Sequence, residues 1–314
     1  MADSQGKRQA PSYGNRLGFW FFHLLIKTAG PIPAYILLAL ILPYYLLIRI
    51  SAGKSALPYL RHRFPEYGKV RLFFATYLHF YRFGQTLIDQ ACMGILHKDK
   101  IRINFPDKEI LTRLARNKKG MVLLTTHAGN WMTALTAMDK IGVRVNLLLN
   151  LDNGEGGHLK NIFNERDDFR LIPPDGFMGG LVEATNALNS GEVVSIMGDR
   201  SEGARSVLID FLGEKASFPI TPYHLALATG SDLVVLLTAR TGMLSFSIDI
   251  SSISDGEDIS DSSRDETIKN MAEKYVYLLE KHLKFHPYMW YNFFDTWNEI
   301  EEKSKLARTD INSK

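Results

Sequence analysis

From residue 120 onwards, short apolar segments of the chain alternate with amphipathic ones. The apolar segments are typical of buried strands and cover residues 120–127, 143–150, 192–199 and 231–240. Segments of helical character lie between and after them, at residues 130–141, 179–191, 221–230 and 266–287. Residues 243–253 alternate between apolar and polar side chains, which predicts an edge strand. Strands that alternate with helices predict an α/β fold with parallel strand pairs.

The N-terminal part of the chain has a different pattern. Residues 1–16 are polar and predicted to be disordered, whereas residues 17–56 form a membrane-associated apolar segment. The 21 residues between Lys27 and Arg49 carry no charge, and about 20 apolar residues suffice to span a bilayer. The segment is too long for a signal peptide, and no small-residue cleavage site follows it. Three interpretations stay open: a spanning helix, a monotopic helix that enters one leaflet, and a buried helical hairpin.

Residues 57–98 are rich in aromatic residues and predict helices. They are compatible with an amphipathic core helix or with a helix that lies on the membrane. We expect them to begin an α/β domain that covers residues 57–300, followed by a polar tail at residues 301–314.

Charge is distributed unevenly along the chain. Residues 1–104 carry a net charge of +10 and the rest carry −7, which together give the overall +3. Because the basic part is also the apolar part, the pattern predicts contact with an anionic membrane surface rather than with nucleic acid. The positive charges that follow the apolar segment place the rest of the chain in the cytoplasm. The single cysteine, Cys92, excludes a disulfide framework.

Two predicted strands end in residues that can carry chemistry. The first strand is followed by His127, Gly129 and Asn130, just before a predicted helix. A helix N-terminus favours negative charge on a bound group, which suits an imidazole base that faces an anionic transition state. The alternative is a histidine that only forms hydrogen bonds within its loop.

The second strand end carries Asp199 and Arg200 directly after residues 192–198. Such a pair is either a structural salt bridge or part of a site for an oxyanion or phosphate. The histidines show no metal-ligand spacing with carboxylates, so we expect neither a metal nor a cofactor.

The sequence resembles the lipid A biosynthesis acyltransferases, that is, the lauroyl and myristoyl transferases of the lysophospholipid acyltransferase superfamily. The resemblance extends over most of the chain and rests on the following segments: Tyr59–Glu66, His127–Trp131, residues 198–237 and residues 288–297. It implies a glycerolipid-acyltransferase-like mixed sheet flanked by helices, with an N-terminal membrane helix. It also implies transfer of a fatty acyl chain from an acyl carrier protein or coenzyme A thioester to a hydroxyl of a membrane glycolipid. The implied location is the cytoplasmic face of a bacterial inner membrane.

The resemblance assigns roles to particular residues and shows one departure. It makes His127 the general base and places Gly129, Asn130, Asp199 and Arg200 in an oxyanion or phosphate site. The family pattern has an acidic residue five positions after the histidine, and here that position holds Met132.

A methionine neither carries charge nor accepts a strong hydrogen bond, so it does not orient an imidazole as a carboxylate does. Three interpretations follow. Another group, such as Asp199, Asp139 or a backbone carbonyl, holds His127; or His127 acts unaided; or the protein binds a lipid or acyl chain without transferring it.

Overall fold

The computed structural model describes residues 16–95, 101–138, 142–149, 169–173, 177–201, 205–253 and 263–297. Residues 1–15 of the predicted disordered N-terminus, the polar tail and Asp139 lie outside these residues, whereas Arg16 is helical. The helices are α1 (Arg16–Ala29), α2 (Pro31–Ile48), α3 (Ile50–Ser55), α4 (Leu57–Arg63), α5 (Lys69–Ile95), α6 (Lys108–Arg116), α7 (Trp131–Met138), α8 (Leu181–Asn189), α9 (Thr221–Thr229) and α10 (Arg264–Phe285). The strands are β1 (Arg102–Asn104), β2 (Met121–Thr125), β3 (Val145–Leu148), β4 (Phe169–Ile172), β5 (Val193–Met197), β6 (Ser206–Phe211), β7 (Glu214–Pro219), β8 (Asp232–Gly242) and β9 (Ser245–Ser252).

A seven-stranded sheet forms the centre of the described part of the molecule, in the order β1-β9-β8-β2-β5-β3-β4. Strands β8, β2, β5, β3 and β4 are mutually parallel, whereas β9 is antiparallel to β8 and β1 is parallel to β9. The predicted α/β class with parallel strand pairs is therefore confirmed. In an open sheet of this kind, ligands bind at the carboxyl ends of the parallel strands.

The central strand β2 is buried on both faces of the sheet. Val122 and Leu124 belong to the core on one face, with side chains of α8, α9 and α10, whereas Met121 and Leu123 pack with side chains of α6 and α7 on the other. Successive side chains of a strand point to opposite faces, so an uninterrupted apolar run such as this one supplies both cores.

The prediction of an edge strand at residues 243–253 is wrong. The segment does form a strand, β9, but β1 pairs with it on its outer side. Strand β1 is only three residues long and all three of its side chains are exposed. The sequence therefore shows no apolar periodicity from which this strand could be predicted.

A separate two-stranded hairpin, β6–β7, follows the second candidate strand end. Its two-residue turn places Leu212 at φ 52° and Gly213 at φ 88°. Positive φ at both positions is typical of a type I′ turn. A leucine rarely adopts this conformation.

Candidate active site

The loop that carries His127 begins where β2 ends. Gly129 adopts φ +65°, and a Cβ atom at this position would lie 1.9 Å from the carbonyl oxygen of Thr238 on β8. Only glycine allows the two backbones to approach this closely. The backbone N–H of Asn130 donates to Thr238 Oγ1 at 2.8 Å, so the loop is held firmly against β8.

A segment after α10 holds the same loop from the other side. Tyr291 N donates to His127 O at 2.9 Å, and Gly129 N donates to Met289 O at 2.7 Å. These two bonds make a short antiparallel bridge between Ala128 and Trp290. The backbone beside His127 therefore has a defined position before any ligand binds.

The second strand end lies beside the first because β5 pairs with β2. The parallel register places Thr125 opposite Met197, and two residues further on it brings His127 next to Asp199. Gly198 makes the close approach possible, because a Cβ there would lie 2.0 Å from Leu124 Cδ2. The N–H of Gly198 also continues the ladder by donating to Thr125 O at 3.0 Å.

Asp199 is the carboxylate that holds His127. His127 Nδ1 lies 2.8 Å from Asp199 Oδ1, and the backbone N–H of His127 donates to Asp199 Oδ2 at 2.8 Å. Trp290 Nε1 donates to the same Oδ2 atom at 2.7 Å. Among the described residues, Asp199 is thus the candidate for the missing acid that contacts His127.

These contacts determine the ionisation of the Asp199 carboxyl. Complete burial alone would raise its pKa, but the charge of His127 and the hydrogen bonds from His127 and Trp290 outweigh burial and hold the pKa below its ordinary value. An ionised Asp199 accepts a hydrogen bond from the N–H of Nδ1 of His127. In a neutral imidazole this leaves the free lone pair on Nε2.

His127 is the accessible member of the pair. The side chain of His127 is 21% exposed to solvent, whereas that of Asp199 is fully buried. A buried carboxylate that fixes the tautomer of a partly exposed imidazole is the arrangement of general-base sites.

Other predicted site residues have different surroundings. Met132, in the first turn of α7, is buried with 7% exposure. The N–H groups of Gly129 and Asn130 already donate to Met289 O and Thr238 Oγ1. A direct role for these two groups as oxyanion donors stays a prediction, and the geometry does not favour it.

The predicted role of Asp199 in an oxyanion or phosphate site also needs revision, since its side chain is buried and serves His127. Arg200, the next residue, is partly exposed, and its Nε donates to Asn292 Oδ1 at 3.1 Å. A guanidinium at this position remains suited to a developing negative charge, and its role stays a prediction.

Two supporting residues come from the closing aromatic segment. Trp290 donates to the Asp199 carboxylate, and Asn292 Nδ2 donates to the Asp199 carbonyl oxygen at 2.9 Å. Sequence reasoning placed both in an aromatic segment but gave them no role. The sequence did contain a signal for such a role. Both residues carry polar groups within an apolar aromatic run, and a buried indole N–H or amide needs a hydrogen-bond partner.

Within the described ranges, no group of three or more His, Cys, Asp and Glu side chains is placed to hold a metal ion.

The described part of the chain is thus an α/β fold with a histidine–carboxylate pair at the carboxyl ends of two adjacent parallel strands. The family model for bacterial lipid A biosynthesis acyltransferases matches residues 78–299, which is more than half of the chain. The protein therefore belongs to this acyltransferase family, and the resemblance seen in the sequence is confirmed. A search of curated proteins finds no match to the chain.

Proposed function

We propose that this acyltransferase moves a fatty acyl chain from a thioester to a hydroxyl of a membrane glycolipid of the lipid A type, with His127 as general base. The observation that supports the proposal is the His127–Asp199 pair, with Nδ1 and Oδ1 2.8 Å apart at the carboxyl ends of two adjacent parallel strands. In this proposal Asp199, which follows β5, takes the place of the carboxylate that is missing from position 132.

In the proposed reaction, Nε2 of His127 takes the proton from the acceptor hydroxyl while the oxygen attacks the thioester carbonyl carbon. The tetrahedral intermediate carries its negative charge on the former carbonyl oxygen. Its collapse re-forms the carbonyl, breaks the carbon–sulfur bond and releases a thiolate, which takes the proton back from His127. Asp199 stabilises the imidazolium between these two steps.

The donor in this proposal is an acyl carrier protein or coenzyme A thioester, which is already activated and requires no further cofactor. Arg200, directly after Asp199 in the chain, is the proposed cation for the intermediate or for a phosphate of either substrate. The basic N-terminal third of the chain suits an anionic membrane surface and an acidic carrier protein. The proposed location is the cytoplasmic face of the inner membrane.

Acyl transfer in detergent micelles tests the proposal. The assay uses total membrane lipid and a labelled acyl carrier protein thioester, and it compares the wild type with His127→Ala. We expect His127→Ala to lower the transfer rate by about 10²–10⁴-fold, which is the usual contribution of a general base. His224→Ala, at a partly exposed position of α9, is the matched control and should retain the wild-type rate.

Undiminished transfer by His127→Ala would contradict the proposed base. The buried Met132 at the family's acidic position favours a second function, in which an impaired family member binds a lipid or acyl chain without transferring it. That function predicts no transfer by the wild type, together with lipid binding that is equal in wild type and His127→Ala.

A further inference from the structure

Helix α2 is apolar enough to cross a membrane, yet it lies against the folded domain along its whole length. Its 18 residues have a mean hydropathy of 2.0. Tyr35, near its start, packs in a cluster with Ile88 of α5 and Leu244. Leu42 and Leu46, near its end, belong to the main core on one face of the sheet. Both halves of α2 are therefore anchored to the same body.

The contact between α2 and α5 is close in its middle. A Cβ atom on Gly84 of α5 would lie 2.7 Å from the Leu38 side chain of α2. Tyr77 of α5 donates its hydroxyl to the carbonyl oxygen of Ala39 at 3.2 Å. The two helices thus pack as neighbours without a gap for lipid between them.

A buried ion pair adds a polar anchor at the N-terminal half of α2. Tyr35 donates its hydroxyl to Asp89 of α5, and Arg240 of β8 donates from Nε to Asp89 Oδ2 at 2.7 Å. Tyr35, Asp89 and Arg240 are all buried. To leave the domain, α2 would have to expose this pair, and breaking a buried pair is strongly unfavourable.

The opposite face of α2 is apolar and exposed. Ile36, Leu40, Tyr44 and Leu47 are 57%, 72%, 67% and 67% exposed and follow the spacing of one helical stripe. Val70 and Phe74 of α5, which are 71% and 63% exposed, extend the apolar surface. Only 22% of α2 is buried inside the protein, and an apolar patch of this kind marks a partner or a membrane.

Basic residues flank this surface, as expected for contact with anionic lipid. Lys27 lies at the end of α1, and Arg49 and Lys54 follow the C-terminal end of α2. Lys69 and Arg71 lie in the first turn of α5, beside Val70. An apolar face with a cationic border suits one leaflet of a bilayer with negatively charged head groups.

We propose that α1, α2 and α5 form a monotopic platform that enters one leaflet of an anionic bilayer, and that α2 does not cross the membrane. At 1.5 Å per residue α2 is about 27 Å long, which is within the range of spanning helices, so the inference rests on its anchors and not on its length. Its anchors along the domain keep it in the plane of the surface. The inference rests on the membrane association contained in the proposed function.

The platform also has a direct link to the candidate active site. Gln90, next to Asp89 on α5, donates from Nε2 to Asn130 Oδ1 at 3.2 Å. Thr86, one turn earlier, donates to the hydroxyl of Tyr291 at 3.2 Å. Helix α5 is therefore shared by the platform and by the loop that carries His127.

The position of the two chain termini tests the platform. Ser12→Cys and Ser313→Cys are made separately in full-length protein that also carries Cys92→Ser, and a membrane-impermeant maleimide is added to intact spheroplasts and to inverted vesicles. A monotopic platform leaves both thiols on the cytoplasmic side, so both label only in inverted vesicles. Labelling of the Ser12→Cys thiol in spheroplasts, with the Ser313→Cys thiol still cytoplasmic, would show a crossing and overturn the inference.

Vesicle flotation tests which surface binds lipid. Leu40→Glu places a charge at the most exposed position of the stripe, and Tyr277→Glu places one on α10 at a residue that is 65% exposed. We expect Leu40→Glu to weaken binding to phosphatidylethanolamine–phosphatidylglycerol vesicles by about tenfold or more, and Tyr277→Glu to leave it unchanged. Equal binding by Leu40→Glu and wild type would overturn the platform.

These readouts do not depend on catalysis. Transfer activity that depends on His127, together with a crossing helix, would refute the platform and leave the proposed reaction intact. Wild-type protein that neither fractionates with membranes nor floats would refute the platform together with the membrane location in the proposed function.

Discussion

Asp199 and Asp89 are two carboxylates with similar surroundings and different consequences. Each side chain is fully buried and lies against one basic partner, His127 for Asp199 and Arg240 for Asp89. Each also accepts a hydrogen bond from an aromatic residue, Trp290 in the first case and Tyr35 in the second. The difference lies in the partner: His127 is partly exposed and has an imidazole that can take up or release a proton, whereas Arg240 is buried and permanently charged.

The two carboxyl groups differ in pKa for the same reason. At Asp199, the charge of His127 and three hydrogen bonds overcome burial, so its pKa lies below the ordinary value. At Asp89, burial outweighs Arg240 and Tyr35, so its pKa is raised. A buried carboxylate thus indicates a reactive site when its partner titrates and reaches solvent, and a structural anchor when its partner does neither.

The largest effect on activity is expected from Asp199→Asn. The amide keeps the shape of the side chain but carries no charge, so it neither fixes the His127 tautomer nor stabilises the imidazolium. We expect transfer to fall by about 10³–10⁴-fold in the assay that also measures His127→Ala.

The double variant Asp199→Asn/His127→Ala should be no slower than the slower single variant, because the two residues act as one unit. Independent, multiplicative losses would contradict the pair, as would an Asp199→Asn protein that retains wild-type activity.

Asp89→Ala should act on stability instead. It leaves the Arg240 guanidinium buried without its carboxylate, and breaking a buried pair costs about 3–5 kcal/mol. The measurement is thermal unfolding in detergent, with transfer activity assayed at a temperature where the variant is folded. At that temperature we expect Asp89→Ala to lose much less transfer activity than Asp199→Asn loses.

The double variant Asp89→Leu/Arg240→Met is the matched control. Removing both charges should restore much of the lost stability, because no buried charge remains unpaired. A double variant less stable than Asp89→Ala would show that the two residues do not act as a pair.

Part of this comparison was predictable from sequence. The apolar strands, the His127 loop and the Asp199–Arg200 strand end are visible as patterns, and the α/β class follows from their alternation. Asp199 was one of three groups that the sequence offered to hold His127. The choice among them is not visible in the sequence, because it depends on β5 lying next to β2 in the sheet although β3 and β4 come between them in the chain.

The anchor at Asp89 was hidden for a related reason. A single aspartate in an aromatic helix gives no sign of a partner 151 residues away in the chain. The role of Trp290 was equally hidden, because in the sequence it is one of several aromatics in a closing segment. Contacts between segments that are distant in the sequence can be predicted only when the order of the strands in the sheet is known.

The smallest effect is expected from Met132→Leu, and substitutions at this position test whether Asp199 is the carboxylate partner of His127. If Asp199 is the carboxylate partner, position 132 needs no acid, and Met132→Leu preserves the volume of a buried apolar side chain. Such exchanges usually cost less than about 1.5 kcal/mol of folding stability, so the folded variant should transfer at close to the wild-type rate.

Met132→Glu should lower the rate, because it buries a second carboxylate while Nδ1 of His127 is already bound to Asp199 and offers it no partner. A rate for Met132→Glu above that of wild type would show that position 132 is still the place for the acid, and that Asp199 is an anchor of the Asp89 kind.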